Sequence, residues 1–383
     1  MALSSHLSIA DLEQAARRRL PPSIYGYVIG GAEDERSLQG NRSAFGRWGF
    51  VPRPLVDVSR RSQETTLFGT RYAAPIGISP MGVASLCRFN GDIALASAAR
   101  RAGLPFILSG ASTTPLERVA AAAPDTWFQA YVPSRREVIA PLLQRVAAAG
   151  VKVLVVTVDV PIASTREIEI RNGFSVPLRL STRLVLGGLS RPRWMIDTFA
   201  QTLLKQGIPH FENLSATRGG PIVTAVSGDH RAGRAALCWE DMRWVRAQWQ
   251  GKLVIKGILH AEDARHAQAV GADGVIVSNH GGRQLDGAIA PIEALPSIVA
   301  AVPNMTVMID SGFRRGTDVL KALALGARFV FVGRPAMYGL AVAGERGVSH
   351  ALSILQKEID VNLALLGCPE TTELSPEFLH ART

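Results

Sequence analysis

Eight short apolar runs, strung along the chain at near-regular intervals, restrict the fold more than any other feature of this sequence. They are PIGISP (75–80), PFILS (105–109), TWFQAY (126–131), VKVLVVTVD (151–159), KLVIKG (252–257), DGVIVSN (273–279), MTVMID (305–310) and RFVFVG (328–333). Runs this short and this continuously apolar suit strands buried on both faces, as in parallel sheets. Alanine-rich helical stretches lie between them, among them GDIALASAARRAG, SRREVIAPLLQRVAAAG, AEDARHAQAVGA and GTDVLKALALGA. Gly103, Gly150, Gly271 and Gly326 stand where these helices should stop. Strand, helix and glycine repeated in this way predict an α/β fold, the (β/α)8 or TIM barrel.

The chain has 383 residues, room for one large barrel or two smaller domains. The rhythm favours one domain over 1–383. Helices are expected ahead of the barrel. Ser8 and Asp11 form a capping signal before ADLEQAARRRL, and Pro21 with Pro22 stop that helix and start another. Behind the eighth run, Leu352, Leu355, Ile359, Leu363 and Leu366 recur at helical spacing up to Gly367, a face for packing on the barrel. The rhythm breaks once, after the fourth run. The long interval there holds an insertion at about 174–236, and insertions of this size are usually functional.

Charge concentrates in that insertion. The whole chain carries a formal net charge of +10. Within the insertion Arg179, Arg183, Arg191, Arg193, Lys205, Arg218, Arg231 and Arg234 face only Asp197, Glu212 and Asp229. Such a balance suits nucleic acid, anionic lipid or acidic small molecules. The bases lack interleaved aromatics and any nucleic-acid motif, so nucleic acid is not an expected partner. The start, MALSSHLSIADLEQ, lacks the apolar stretch of a signal peptide. No apolar run reaches the ~18 residues of a membrane span. Cys87, Cys238 and Cys368 are far apart, so neither a disulfide framework nor a zinc site is expected, in keeping with a reducing compartment.

Polar residues at the C-terminal ends of barrel strands read as catalytic. Every run here ends in one: Ser79, Ser109, Gln129 with Tyr131, Thr157 with Asp159, Lys256, Ser278 with His280, Asp310, and Gly333 with Arg334. The last two ends resemble a phosphate site. Ser311, Gly312 and Gly316 precede the helix TDVLKALAL, whose N-terminal amides attract anions, and Arg314 and Arg334 suit bidentate contacts. His280 is the candidate general base, with Asp159 placed to orient its ring. Arg283 and Arg166 form a two-arginine grip for an anionic substrate. Lys256 sits inside an apolar run and needs an anionic partner, such as a reduced cofactor ring. No nucleophile elbow and no cluster with metal-ligand spacing occurs, so neither a triad hydrolase nor a metal site is expected.

SNHGGRQLDGA, VIKGI…AEDA, IDSGFRRGTDVLKALALGA, VGRP, FQAYV, TVDVP…TRE and YGYVIGGAEDE closely resemble the FMN-dependent 2-hydroxy acid oxidase and dehydrogenase family. The resemblance covers nearly the whole chain. PRW at 192–194 and GCPETTELSPEFL at the end look most like its mandelate dehydrogenase branch. The resemblance implies FMN over the barrel mouth, His280 as base beside Asp159, and Arg166 and Arg283 on the substrate carboxylate. It implies Tyr27 and Tyr131 as substrate contacts. Pro80, Met81 and Gly82 would pass the flavin N5 edge, Met81 standing where threonine is frequent in the family. Ser109, Gln129, Thr157 and Ser278 would bond the ring and ribityl chain. Lys256 would stabilise the reduced anion and Asp310 would hold ribityl hydroxyls. The backbone of Ser311, Gly312, Phe313 and Arg314, with Gly333 and Arg334, would hold the phosphate.

The activity so implied is oxidation of an (S)-2-hydroxy acid, (S)-mandelate above others, to the 2-oxo acid, with electrons passed to a membrane quinone. The alternatives are a soluble oxidase using dioxygen and a flavin-type L-lactate dehydrogenase. Gly82 favours a dehydrogenase, because the oxidases tend to carry a methyl-bearing residue there. The segment LRLSTRLVLGGLSRPRWMIDTFAQTLL mixes Leu, Trp and Arg as an interfacial anchor does. Peripheral attachment to the cytoplasmic side of a bacterial inner membrane is therefore expected, with an otherwise cytoplasmic protein and a homo-oligomer, a tetramer. Gly110 and Ala111 just past the second run leave room for an aryl group.

Overall fold

A computed structural model describes residues 3–175, 177–179, 181–224 and 233–382. Each of the eight apolar runs supplies one strand: β1 (Ile76–Ile78), β2 (Ile107–Ser109), β3 (Trp127–Ala130), β4 (Val153–Thr157), β5 (Lys252–Ile258), β6 (Gly274–Val277), β7 (Thr306–Ile309) and β8 (Phe329–Val332). Neighbours pair in parallel, and β8 returns to β1. A bridge between Ile78 and Phe106, with the Ile78 amide donating to the Pro105 carbonyl at 2.9 Å, joins β1 to the approach of β2 and closes the barrel. The barrel helices are α1 (Gly91–Arg101), α2 (Leu116–Ala122), α3 (Arg136–Ala148), α4 (Trp239–Gln248), α5 (Ala261–Ala269), α6 (Pro291–Ala301), α7 (Gly316–Ala324) and α8 (Arg334–Ala343). Gly103, Gly150, Gly271 and Gly326 follow α1, α3, α5 and α7 with φ of +65°, +80°, +81° and +100°, the left-handed stop that a side chain resists.

Burial explains which way each strand faces. Ile107, Val153, Val155, Val254, Ile276 and Met308 fill the barrel, while their neighbours pack outward against the helices. A hairpin that the strand rhythm did not reveal, Thr65–Leu67 with Thr70–Tyr72, seals the N-terminal end. Its Tyr72 ring lies 5.7 Å from Phe329 and Phe68 lies 5.8 Å from Trp127, both at strand starts. The C-terminal mouth opens into a cavity lined by the strand tips. The flanking helices form as the caps dictate. Ser8 and Asp11 make the reciprocal capping box of Ile9–Arg19, and Pro22–Ile29 follows. The stripe from Leu352 to Leu366 is buried along Glu345–Leu366, each leucine worth about 1.5–3 kcal/mol of burial.

The excursion between β4 and α4 carries helices Glu167–Arg171, Thr182–Leu189, Pro192–Trp194 and Gln201–Gln206, with a π-helical turn at Met195–Ala200. We call Thr182–Gln206 the arm. Polar ties hold it on the barrel. The Trp194 indole donates to the Leu86 carbonyl at 2.7 Å, and Asp197 pairs with Arg19 and Arg88. Trp194 is therefore a core residue and not part of an interfacial face, contrary to the sequence reading; the residue is 7% exposed. Met195 likewise packs partly on the core. Arg231 and Asp229 lie outside the described residues. Among the described residues no helix is long and apolar enough to cross a membrane.

Candidate active site

The strand tips converge on a cavity of about 670 Å³ at the barrel mouth. Lys256, 4% exposed at the end of β5, would be costly there without an anion. The protein itself supplies one. The Lys256 ammonium lies 2.8 Å from an Asp310 oxygen and 2.6 Å from the Ser278 hydroxyl. Burial alone raises the Asp310 carboxyl, but Lys256 and hydroxyls from Ser278 and Ser311 outweigh it and hold it below the usual carboxylate range. Ser79 and Ser311 donate to Asp310 at 3.2 and 2.9 Å.

His280 stands at the tip of β6. Its Nδ1 lies 3.0 Å from Asp159 Oδ1, which leaves Nε2 as the basic nitrogen when the Nδ1 proton is on that bond. Its backbone is left-handed, φ +58°, and its N–H donates to the Ser278 hydroxyl at 3.1 Å. A non-glycine residue so placed stores on the order of 1 kcal/mol and persists only where its surroundings enforce it. The register of β5 on β6 shifts between Lys256 and Ile258. Gly257 has φ +106°, and a Cβ there would stand 2.6 Å from Asp159 Cβ. The glycine lets Asp159 settle against β5 within reach of His280.

Arg283 and Arg166 meet as the sequence suggested, but they do not meet alone. Arg283 Nη1 donates to the carbonyls of Tyr27 (2.7 Å) and Gly30 (2.8 Å), and Nη2 donates to Glu169 Oε1 at 2.7 Å. Arg166 Nε donates to the Ser164 hydroxyl (3.0 Å) and Nη2 to Gln284 Oε1 (2.9 Å), while its Nη1 is 3.6 Å from Glu169. Burial, then Arg283, lowers the Arg166 pKa. The Arg283 guanidinium lies 4.9 Å over the Tyr27 ring, which packs 4.6 Å from Phe174. Burial pushes the Tyr27 phenol up to about 12 and raises Tyr131 as well, so both hydroxyls are proton donors at neutral pH. Tyr27 uses its own on the Gly82 carbonyl at 3.2 Å.

The helix Pro22–Ile29 explains why YGYVIGG belongs to the site. A helix C-terminus leaves carbonyls without partners. Arg334 Nε, Nη1 and Nη2 donate to the carbonyls of Val28 (2.9 Å), Gly281 (3.0 Å) and Gly30 (2.9 Å). Two of its five N–H groups remain. Burial and the neighbouring Arg314 guanidinium push Arg334 down to about 9. Two part-buried cations close together call for an anion. Arg314 is the less committed of the two: its Nη1 bonds the Phe313 carbonyl at 2.9 Å, and its buried Nε has no partner. One expectation fails here. The amides leading into α7 are taken by the protein's own carboxylates: Asp318 accepts from Arg314 and Arg315 N–H at 2.9 and 3.0 Å, and Glu358 accepts from Gly316 N–H, the first of the helix, at 2.7 Å. The Arg314 N–H is therefore taken, while Ser311, Gly312, Phe313 and Arg314, with Gly333 and Arg334 at the start of α8, line the cavity.

Two further buried polar atoms lack partners in the same region, Gln129 Nε2 and Thr157 Oγ1. Gln129 Oε1 is satisfied by the Ser109 hydroxyl at 3.1 Å. Buried polar groups are rarely left orphaned. Acceptors on a flavin ring would satisfy Gln129 Nε2 and Thr157 Oγ1, and its phosphate would satisfy Arg314 and Arg334, so the residues present fit FMN. Pro80, Met81 and Gly82 line the cavity beside them. Several contributors escaped the sequence reading: Glu169, Gln284, and the apolar wall of Phe174, Phe211 and Leu214. Arg234, 4.6 Å over the Tyr131 ring, counted there only toward charge. Among the described residues no group of three or more His, Cys, Asp or Glu is placed to hold a metal.

With that geometry in place, the family model described as "FMN-dependent dehydrogenase" matches residues 16–381. (S)-mandelate dehydrogenase of Pseudomonas putida is 43% identical over 373 residues, spanning 97% of this chain and 93% of that protein. L-lactate oxidase of a Nostoc species is 40% identical over 387 residues, 99% of each. A crystal structure of the monotopic membrane protein (S)-mandelate dehydrogenase superposes with a TM-score of 0.91 at 42% identity, covering 98% of this chain and 99% of that one.

Proposed function

The chain belongs to the FMN-dependent dehydrogenase family, and from that premise we propose that its substrate is an aryl (S)-2-hydroxy acid, (S)-mandelate above others, with a membrane quinone as electron acceptor. Oxidation of a 2-hydroxy acid with FMN is the family chemistry, supported by relatives that cover nearly the whole chain. The choice of an aryl acid rests on one observation: the arginine grip and an apolar wall share one cavity. Phe174, Phe211 and Leu214 line it together with Ala111, and Gly82 beside Ala111 adds no bulk.

Each side chain then has a task. Arg166 and Arg283 take the carboxylate, and Tyr131 contacts the substrate near its reacting carbon. His280 Nε2 accepts a proton, and Asp159 steadies the imidazolium that results. Bound FMN supplies the two-electron acceptor. Lys256 and Asp310 hold fixed charge beside the ring site, and Arg314 with Arg334 anchors the phosphate. The chain acts as one catalytic domain in a homo-oligomer, a tetramer, resting on the cytoplasmic face of a bacterial inner membrane. Two features support membrane attachment: the exposed apolar arm and the likeness to a monotopic protein.

The test is anaerobic bleaching of the flavin by (S)-mandelate, lactate and glycolate, followed by reoxidation with a quinone or with air. The reading expects mandelate to give the highest kcat/KM and quinone the faster reoxidation. Preference for glycolate or lactate would overturn the aryl assignment. Reoxidation by air at the quinone rate would make the protein an oxidase.

A further inference from the structure

We propose that Glu169 is a positioning residue that binds Arg166 and Arg283 into one fork and sets that fork to a single net positive charge. This rests on the reading that the fork receives a substrate carboxylate. Two guanidiniums in one cavity wall repel each other, and both are largely withdrawn from water. Glu169 is the acid between them. It sits on the short helix Glu167–Arg171, three residues after Arg166, so the turn itself brings its carboxylate back toward that arginine. The contact with Arg283 spans 114 residues of sequence and is the shorter, 2.7 Å against 3.6 Å.

The remaining arginine donors define what is left for a ligand. Arg283 spends Nη1 on two backbone carbonyls and one Nη2 bond on Glu169. Arg166 spends Nε on Ser164 and the Arg283 carbonyl, and Nη2 on Gln284. Each is thus fixed by protein acceptors on one side, with Glu169 between them. A substrate carboxylate arriving from the cavity meets two preset cations less one charge. A monoanion is oriented by both and, after oxidation, leaves a site that is not doubly positive. Without Glu169 the same site holds anions more tightly and aims them less well.

The experiment uses the FMN-loaded protein and its Glu169→Gln variant. Oxalate binding is read from the perturbed flavin spectrum, and flavin reduction by the best 2-hydroxy acid is followed by stopped flow. Glu169→Gln is expected to keep its flavin, bind oxalate about tenfold tighter and reduce its flavin about tenfold more slowly. Glu169→Asp, which restores the charge at a shorter reach, is expected to return oxalate affinity toward the parent. If both quantities stay within about twofold of the parent, or if both weaken together, the proposal is overturned. The oxalate titration reads the fork whatever the substrate is. Failure there is thus separable from failure of the substrate reading, which shows as a parent flavin that mandelate does not bleach.

Discussion

In the barrel, aliphatic side chains are sealed: Leu108, Val155, Ile255 and Ile309 are each 0% exposed. In the arm the same residue types face outward, Leu186 at 66%, Leu189 at 62%, Ile196 at 64% and Leu204 at 85%. The difference is not composition but what each element has to pack on. A barrel strand has a filled interior on one side and a helix on the other. The arm has the barrel on one side only, and there Trp194 and Thr198 are buried while Asp197 makes its ion pairs. Its exposed residues are largely apolar, and Arg183 and Arg193 are exposed with them. Scattered apolar residues on a surface need no explanation, but a run along one arm marks an interaction site. The barrel thus gathers its polar residues at a mouth, while the arm presents apolar surface, the face that the proposed reading sets against a membrane. If the two are separate, a change in one should leave the other intact.

The largest effect belongs to the mouth. His280→Ala is expected to keep FMN, since the phosphate end is untouched, and to slow flavin reduction by about 10³–10⁴-fold. Stopped-flow reduction measures it, and a near-parental rate would remove His280 as the base. Next comes the phosphate end. Stripping FMN exposes the Arg314–Arg334 pair without its anion, so Tm should fall by several degrees. Inorganic phosphate at about 100 times its Kd should return about 2.7 kcal/mol of stability, measured by calorimetry. A stripped protein indifferent to phosphate would break the assignment. A smaller effect is expected at the apolar wall. A Cβ on Gly82 would lie 3.2 Å from Ala111 Cβ, so this corner has little slack. Ala111→Trp should shift kcat/KM from mandelate toward lactate by about tenfold, or ~1.4 kcal/mol.

The barrel was legible because burial on both faces writes strands as unbroken apolar runs, and because helices that end in left-handed glycine announce their stops. His280, Arg283 and Asp310 were legible because each directly ends such a run or follows it closely. What was not legible depends on distant backbone. Arg334 reads as a phosphate ligand, yet three of its N–H groups serve carbonyls at residues 28, 30 and 281. The first turn of α7 reads as an anion site, yet Asp318 and Glu358 fill it. Glu169 had no strand to place it, and the hairpin at 65–72 is too short to show a period. In the arm, Trp194 read as interfacial because composition does not say which way a helix turns; only Leu86 and the barrel side decide that.

The smallest effect on chemistry, and the sharpest on the comparison, is expected from the arm itself. Replacing Leu186, Leu189, Ile196 and Leu204 by serine removes apolar surface that already faces solvent, so Tm should move little; exposed changes of this kind usually stay within about 0.5 kcal/mol each. Trp194, Asp197 and Gln206 keep their ties to Leu86, Arg19 and Asn90, so the arm should stay docked. Flavin reduction should remain within about twofold, because Phe174, Phe211 and Leu214 at the cavity wall are untouched. Binding to anionic vesicles should nevertheless collapse, because apolar insertion is the term that salt does not screen. Arg183→Gln with Arg193→Gln should weaken binding less, by roughly 1 kcal/mol per charge, and chiefly at low salt. Vesicle co-sedimentation of the three proteins at two salt concentrations measures all of this. Undiminished binding by the serine variant would move the adhesive face elsewhere, and a matching loss of flavin reduction would show that arm and mouth are not separate after all.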